Sequence, residues 1–220
     1  MIARLLITDE VLPLKTSDTG KTALGWMDEY KVSHLPIVND EVFLGLISEQ
    51  DIYNLNTVDE PLGNHSLSLE HPFVNEHQHI YDVLKLIDEQ KLTLIPVLDD
   101  QQKYLGAITM RNLISFLAGT FSVDNPGGVI VLELSAQDYS LTEISKIVES
   151  NNAKILSTFI TSHKDSTRFE VVVKVNKVEL GAILQTFDRY GYFVKATFGE
   201  DEDQEDMKER FDSLMNYLNI

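Results

Sequence analysis

Between Leu14 and Leu117 the chain carries nearly the same pattern twice, sixty positions apart. Lys21-Thr-Ala-Leu-Gly-Trp-Met-Asp-Glu-Tyr-Lys31 aligns with Tyr81-Asp-Val-Leu-Lys-Leu-Ile-Asp-Glu-Gln-Lys91, keeping Leu24/Leu84, Asp28/Asp88, Glu29/Glu89 and Lys31/Lys91 in register. Pro36 is matched by Pro96. After one extra residue in the following turn, Leu44-Gly-Leu-Ile-Ser-Glu-Gln-Asp-Ile52 is matched by Leu105-Gly-Ala-Ile-Thr-Met-Arg-Asn-Leu113. A repeated unit of about 45 residues is too small to bury a sufficient core by itself. The two copies, at about 14–57 and 72–118, therefore pack on each other, and paired copies create paired clefts.

Each copy reads as helix, strand, turn, strand, helix. The first helix carries Ala23, Leu24 and Met27 in one copy and Val83, Leu84 and Ile87 in the other, an apolar stripe of helical period. Asn39-Asp40-Glu41 and Asp99-Asp100-Gln101-Gln102 supply turn chemistry between short apolar runs, which predicts two hairpins. Ser48 and Thr109 stand where the second strand gives way to a helix, with Asp51 and Asn112 three residues on. That spacing suits a capping box with a shorter acid or amide in place of Glu or Gln.

Asn125-Pro-Gly-Gly128, within Ser122–Gly128, reads as a linker. Beyond it come a strand at Val129–Leu134, a helix opened by Ser140-Leu-Thr-Glu143, and a hairpin from Ala153–Ser162 and Arg168–Val175. A helix follows from Asn176–Glu179 to Gly191, then a last strand at Tyr192–Phe198. The order βαββαβ over 129–199 is ferredoxin-like. Residues 200–220 read as an acidic segment followed by an amphipathic helix, with Met207, Phe211, Leu214, Met215 and Leu218 on one face. The fold class expected is α+β throughout.

Charge narrows the function. A net charge of −17 leaves no clustered Lys and Arg for a nucleic-acid face. It also makes a nucleoside or monophosphate easier to accommodate than a triphosphate. The chain has no cysteine, which removes thiolate nucleophiles and Cys-based zinc sites and fits a cytoplasmic protein. No apolar run approaches the ~18 residues of a membrane helix, and the opening segment lacks the features of a signal peptide. Motifs for acyl transfer, phosphate loops, dinucleotide binding, zincins and EF-hands are missing, so the chain reads as non-enzymatic. His71, His77 and His79 lie in a polar stretch and read as solvated surface residues rather than metal ligands.

Gly45-x-x-Ser48-x-x-Asp51 and Gly106-x-x-Thr109-x-x-Asn112 resemble the closing signature of CBS domains, which occur as tandem pairs forming a disc, the Bateman module. Residues 129–199 are similar to an ACT domain, and the whole arrangement is similar to acetoin-utilisation-type CBS–ACT proteins. The resemblance implies a regulatory protein, a homodimer with an unidentified protein partner, and an adenosine-containing ligand such as AMP, ADP or ATP in the cleft, with no catalytic cofactor. It places Leu14, Lys15, Thr16, His34 and Pro36 around the base, Asp51 on the ribose hydroxyls, and Ser48 with the adjoining helix N-terminus on a phosphate. The second copy matches with Val74, Asn75 and Glu76, then Ile95, Pro96, Thr109 and Asn112. Asn112 carries no charge and a single acceptor oxygen, so the second ribose site is expected to be weaker or empty. The same residues also suit a purely structural role, Ser48 with Asp51 and Thr109 with Asn112 capping helices in a scaffold whose clefts are vestigial. In the ACT-like part the loop Ala136-Gln-Asp138-Tyr-Ser140 lacks the family's glycine, leaving Asp138 as an amine contact and dimerisation as the expected role.

Overall fold

The computed structural model describes residues 1–65, 69–135, 137–162 and 168–199. The expected acidic segment and C-terminal helix lie outside the described residues. The chain divides into two compact units, Met1–Phe116 and Leu117–Ile220.

In the first unit, copy one consists of α1 (Gly20–Tyr30), β1 (His34–Asn39), β2 (Val42–Ser48) and the short α2 (Glu49–Tyr53). Copy two consists of β3 (Val74–Asn75), α3 (Ile80–Gln90), β4 (Leu94–Leu98), β5 (Tyr104–Thr109) and α4 (Met110–Thr120). Both first helices start on a side-chain cap: the Thr22 amide donates to Thr19 Oγ1 at 3.1 Å, and His79 forms a capping box with Asp82. Both end on a lysine in the left-handed region, Lys31 at φ 56° and Lys91 at φ 53°, whose amides donate to Met27 and Ile87. The buried faces, Ala23 and Met27 in α1, Val83 and Ile87 in α3, are the stripes the sequence displays.

Both hairpins are antiparallel, as expected. Asp40 and Glu41, at φ 45° and 69°, give the first a turn that matches strand twist, while the extra residue of the second is absorbed around Gln102, at φ 64°. Each second strand bulges at the same place, beside Gly45 and Gly106, where the register shifts. The glycines sit at φ 143° and 146°, and another segment of chain crosses each of them. A Cβ on Gly45 would lie 2.6 Å from Leu69 Cβ, and one on Gly106 would lie 2.4 Å from Ile7 Cγ2.

Those crossing segments interleave the copies. The stretch at Leu69–Glu70, which leads into copy two, bridges β2 of copy one: the Leu46 amide donates to Glu70 O at 2.9 Å. Conversely, the segment before copy one completes copy two. Ala3 donates to Gln78 O, Arg4 to Glu76 O and Thr8 to Ala107 O, at 2.9, 3.0 and 3.0 Å. The Arg4 guanidinium also pairs with the buried Glu76 carboxylate at 2.5 Å.

The second unit contains β6 (Val129–Ser135), α5 (Leu141–Ser150), β7 (Ile155–Ser162), β8 (Arg168–Val175), α6 (Gly181–Arg189) and β9 (Phe193–Phe198). Its antiparallel sheet runs β7-β8-β6-β9, the ferredoxin-like arrangement. Alternate residues Ile130, Leu132 and Leu134 of β6 and Val171, Val173 and Val175 of β8 pack on Ile144, Ile147 and Val148 of α5 and Ile183 and Phe187 of α6. The second helix begins at Gly181 rather than at Asn176. Asn176 instead closes the β7–β8 end, its Oδ1 accepting from the Lys154 amide at 2.7 Å and its own amide donating to Lys154 O at 3.0 Å. The segment read as a linker is held within this unit: Lys174 Nζ donates to Ser122 O at 2.6 Å, and Gly128 N donates to Lys177 O at 2.9 Å.

Candidate functional site

A cavity of about 240 Å³ opens between the two copies, lined by His34, Leu46, Ser48 and Asp51 of copy one, Glu70 of the crossing segment, and Gln90 and Leu92 of copy two. A second hollow of about 380 Å³ adjoins it, sharing His34 and Ser48 and adding Ser33, Glu49, Gln50 and Tyr53. Together they exceed the roughly 300 Å³ at which small-molecule sites begin.

Ser48 and Asp51 are held by each other. The Ser48 amide and hydroxyl both donate to Asp51 Oδ2, at 2.8 and 2.6 Å, and the Asp51 amide donates to Ser48 Oγ at 3.1 Å. This is a complete capping box, so the structural role expected of the pair is present. It occupies one carboxylate oxygen only. Asp51 Oδ1 accepts no hydrogen bond among the described residues, and the side chain stays half-exposed on the cavity wall.

His34 joins the copies. Ser33 donates its amide to Thr93 Oγ1 at 3.0 Å, which leaves the Thr93 hydroxyl proton to point at His34 Nδ1, 3.1 Å away. The Thr93 amide also donates to Nδ1, at 3.4 Å. Nδ1 is thus an acceptor, and the ring proton sits on Nε2. Burial lowers the His34 pKa below its ordinary 6.5, and Asp51 and Glu70 oppose that shift without reversing it.

Of the residues expected to bind ligand, His34, Ser48 and Asp51 meet in this cavity. Leu14 is fully buried beside Ile37, its amide donating to Pro36 O at 2.8 Å; Pro36 is buried as well. Lys15 is exposed, its amide on Asp18 Oδ2 at 2.7 Å, and Thr16 Oγ1 accepts from Asn39 Nδ2 at 2.8 Å. Val74, Ile95 and Pro96 have buried side chains in copy two. The helix after Ser48 has five residues, with the Glu49 amide already on Ser33 O at 2.9 Å and that of Asp51 on Ser48 Oγ. The expected phosphate-binding helix end is therefore largely occupied.

Around the second motif a cavity of about 190 Å³ is lined by Thr93 and Thr109 with Tyr30, Lys31, Met110 and Arg111 among its neighbours. Thr109 Oγ1 donates to Asn112 Oδ1 at 3.2 Å, and the Asn112 amide donates to Thr109 Oγ1 at 3.2 Å. Asn112 does not line that cavity.

Sequence reasoning missed Glu70, Gln90 and Leu92. Gln90 and Leu92 flank the capping Lys91, so the repeat could have flagged them only if the copies were known to face each other head to tail. Glu70 arrives through the crossing segment, for which no local pattern exists. The three histidines have separate surroundings: His71 packs edge-on to Phe43 with ring centroids 6.0 Å apart, His79 caps α3, and His77 lies 3.7 Å from Asp100. Among the described residues no group of three His, Asp or Glu side chains is placed to hold a metal, and no helix is long and apolar enough to cross a membrane.

This geometry is that of a paired module with a cavity between its halves, and comparison with known proteins finds the same duplication. Residues 3–56 and 67–119 each match the CBS domain family, so the chain carries a tandem pair of CBS domains. It is 26% identical over 102 residues to an uncharacterized protein of Methanocaldococcus jannaschii, spanning 46% of this chain and 34% of that protein. It is 25% identical over 130 residues to inosine-5′-monophosphate dehydrogenase of Bacillus subtilis, spanning 57% of this chain and 27% of the enzyme. The chain thus spans about a third or less of the length of these curated relatives. A CBS domain pair/ACT domain protein from Thermotoga maritima, solved by crystallography, is similar at 23% identity and a TM-score of 0.48, covering 54% of this chain and 98% of that one.

Proposed function

We propose that this protein is a non-enzymatic, cytoplasmic regulatory subunit that senses an adenosine-containing ligand in the Asp51 cleft. The single observation that supports the reading best is the position of that carboxylate. Asp51 keeps one oxygen without a hydrogen-bond partner among the described residues, at the wall of a cavity whose opposite side, Gln90 and Leu92, belongs to the other copy. A ligand seated there touches both copies and favours their closed arrangement. Ribose hydroxyls donate to Oδ1, and His34 Nε2–H offers a donor to a base or sugar oxygen.

The second unit, with its βαββαβ order, fits an ACT-like domain, in keeping with CBS–ACT proteins of the acetoin-utilisation type. We assign it the output: homodimer formation or partner binding, coupled to the cleft by roughly 1 to 3 kcal/mol, a typical allosteric magnitude. The chain passes from one unit to the next through α4, which begins at Met110, directly after Thr109.

Isothermal titration of the full chain with adenosine, AMP, ADP, ATP and S-adenosylmethionine tests the reading. Saturable binding of one of them, lost on Asp51→Ala, is expected. At 100 times its dissociation constant that ligand adds about 2.7 kcal/mol to stability. If none of the five binds, the clefts are vestigial and the CBS pair is a scaffold.

A further inference from the structure

The two clefts differ in charge, and the difference follows from a few substitutions between the copies. Glu49, Asp51 and Glu70 line the first cleft with its adjoining hollow, and no Lys or Arg does so among the described residues. Tyr53 donates to Glu49 at 2.8 Å and Ser48 donates to Asp51, but these neutral donors leave both charges in place. His34 is neutral, with Nδ1 accepting from Thr93. Gln50, where copy two has Arg111, adds no cation.

The second cleft is balanced. Lys31 and Arg111 line it alongside Glu10 and Glu29. Lys31 is engaged with Asp28 at 2.9 Å, while Arg111 has no ion-pair partner among the described residues. A strongly acidic chain would repel phosphates everywhere to a small degree; here the repulsion is concentrated at one site and relieved at the other.

We infer that the Asp51 cleft selects adenosine compounds that carry no phosphate, the 5′ position being uncharged or cationic. This rests on the ligand reading above and specifies its class. Ribose held by Asp51 and flanked by Ser48 directs its 5′ substituent towards Glu49 or Glu70, with no cation to receive an anion there. A carboxylate about 7 Å from a phosphate monoanion weakens binding roughly two- to threefold even in water-like surroundings. Three of them compound to at least about tenfold.

Titration of the full-length protein with adenosine and with AMP, at low and at high salt, decides the matter. Adenosine is expected to bind at least about tenfold more tightly than AMP at low salt, and the gap to narrow as salt screens the carboxylates. Glu70→Gln and Glu49→Gln should each improve AMP binding relative to adenosine two- to threefold, roughly the contribution of one carboxylate. AMP or ATP binding that survives Asp51→Ala but is lost in Arg111→Ala belongs to the second cleft and supports the division. AMP binding as tight as that of adenosine, and abolished by Asp51→Ala, would overturn the charge inference while leaving the sensor intact. Binding of neither compound would remove both.

Discussion

Asp51 has two duties that a single substitution can separate. As a cap, it takes the Ser48 amide and hydroxyl on Oδ2, at 2.8 and 2.6 Å. In the proposed sensor it has a second role, in which Oδ1 would accept from the ribose hydroxyls. Asp51→Asn keeps an acceptor oxygen for the cap, so its stability loss should stay at a few tenths of a kcal/mol, whereas Asp51→Ala loses the reciprocal bonds at about 1 kcal/mol. Binding responds in a different proportion. A hydrogen bond to a charged acceptor is worth about 1.5–3 kcal/mol against 0.5–1.5 for a neutral one, so losing the charge under two hydroxyls removes about 2 kcal/mol, roughly 30-fold in affinity. Trp26, the single tryptophan, sits on α1 of copy one against Tyr30 and reports unfolding in urea. Calorimetry reports affinity on the same samples. An Asp51→Asn protein that binds like the parent would make this carboxylate a cap and nothing more. If it were as unstable as Asp51→Ala, the cap would depend on charge and the separation argued here would be wrong.

Gly45→Ala and Gly106→Ala both force a side chain into the positive-φ region, at about 1–3 kcal/mol. Gly45→Ala should cost more, because its Cβ meets Leu69 Cβ and the backbone oxygen of Glu70 at 2.6 and 3.0 Å, whereas Gly106 meets a side-chain methyl, Ile7 Cγ2, and no backbone atom; equal urea midpoints would contradict this. Arg4→Ala leaves the Glu76 carboxylate, 9% exposed, without its partner and should cost about 1–3 kcal/mol, measured as a shift in urea midpoint. An unchanged midpoint would mean that water replaces the guanidinium. His34 should titrate below 6.5 by NMR, because burial disfavours its cation. With the folded pKa lowered, the unfolded chain takes up the proton first. The stability His34 contributes is therefore complete above about 6.5 and declines as pH falls from there through the folded value. A midpoint above 6.5 would show the carboxylates dominating instead.

Much of this architecture was legible because its signals are local. The turn residues, the caps at Ser48 and Ser140 and the alternation in β8 each depend on neighbours within a few positions, and each produced the expected element. Asn176 misled for the same reason: it has the chemistry of a helix start, but its partner is Lys154, which comes from the far strand of a hairpin. Of the residues that line the candidate cavity, Ser48 and Asp51 were legible because they fall on the repeat. Leu14 and Val74 went to the core because the approach to each copy runs beside β1 or β4, and Ile95 because β4 is buried along its whole length. Glu70 and Gln90 depended on which segment crosses which copy, and that is a property of the chain's path that no window of sequence displays.

That path bears on how the protein is made. Thr8 leaves the ribosome about a hundred residues ahead of its bridge partner Ala107. At about 5–20 residues per second the opening segment waits some 5–20 seconds, its edge unpaired. Copy one is in a similar state until Leu69 and Glu70 emerge to cover Gly45. Neither half has all its backbone partners until the other has emerged, so the pair is completed only once Ala107 is out.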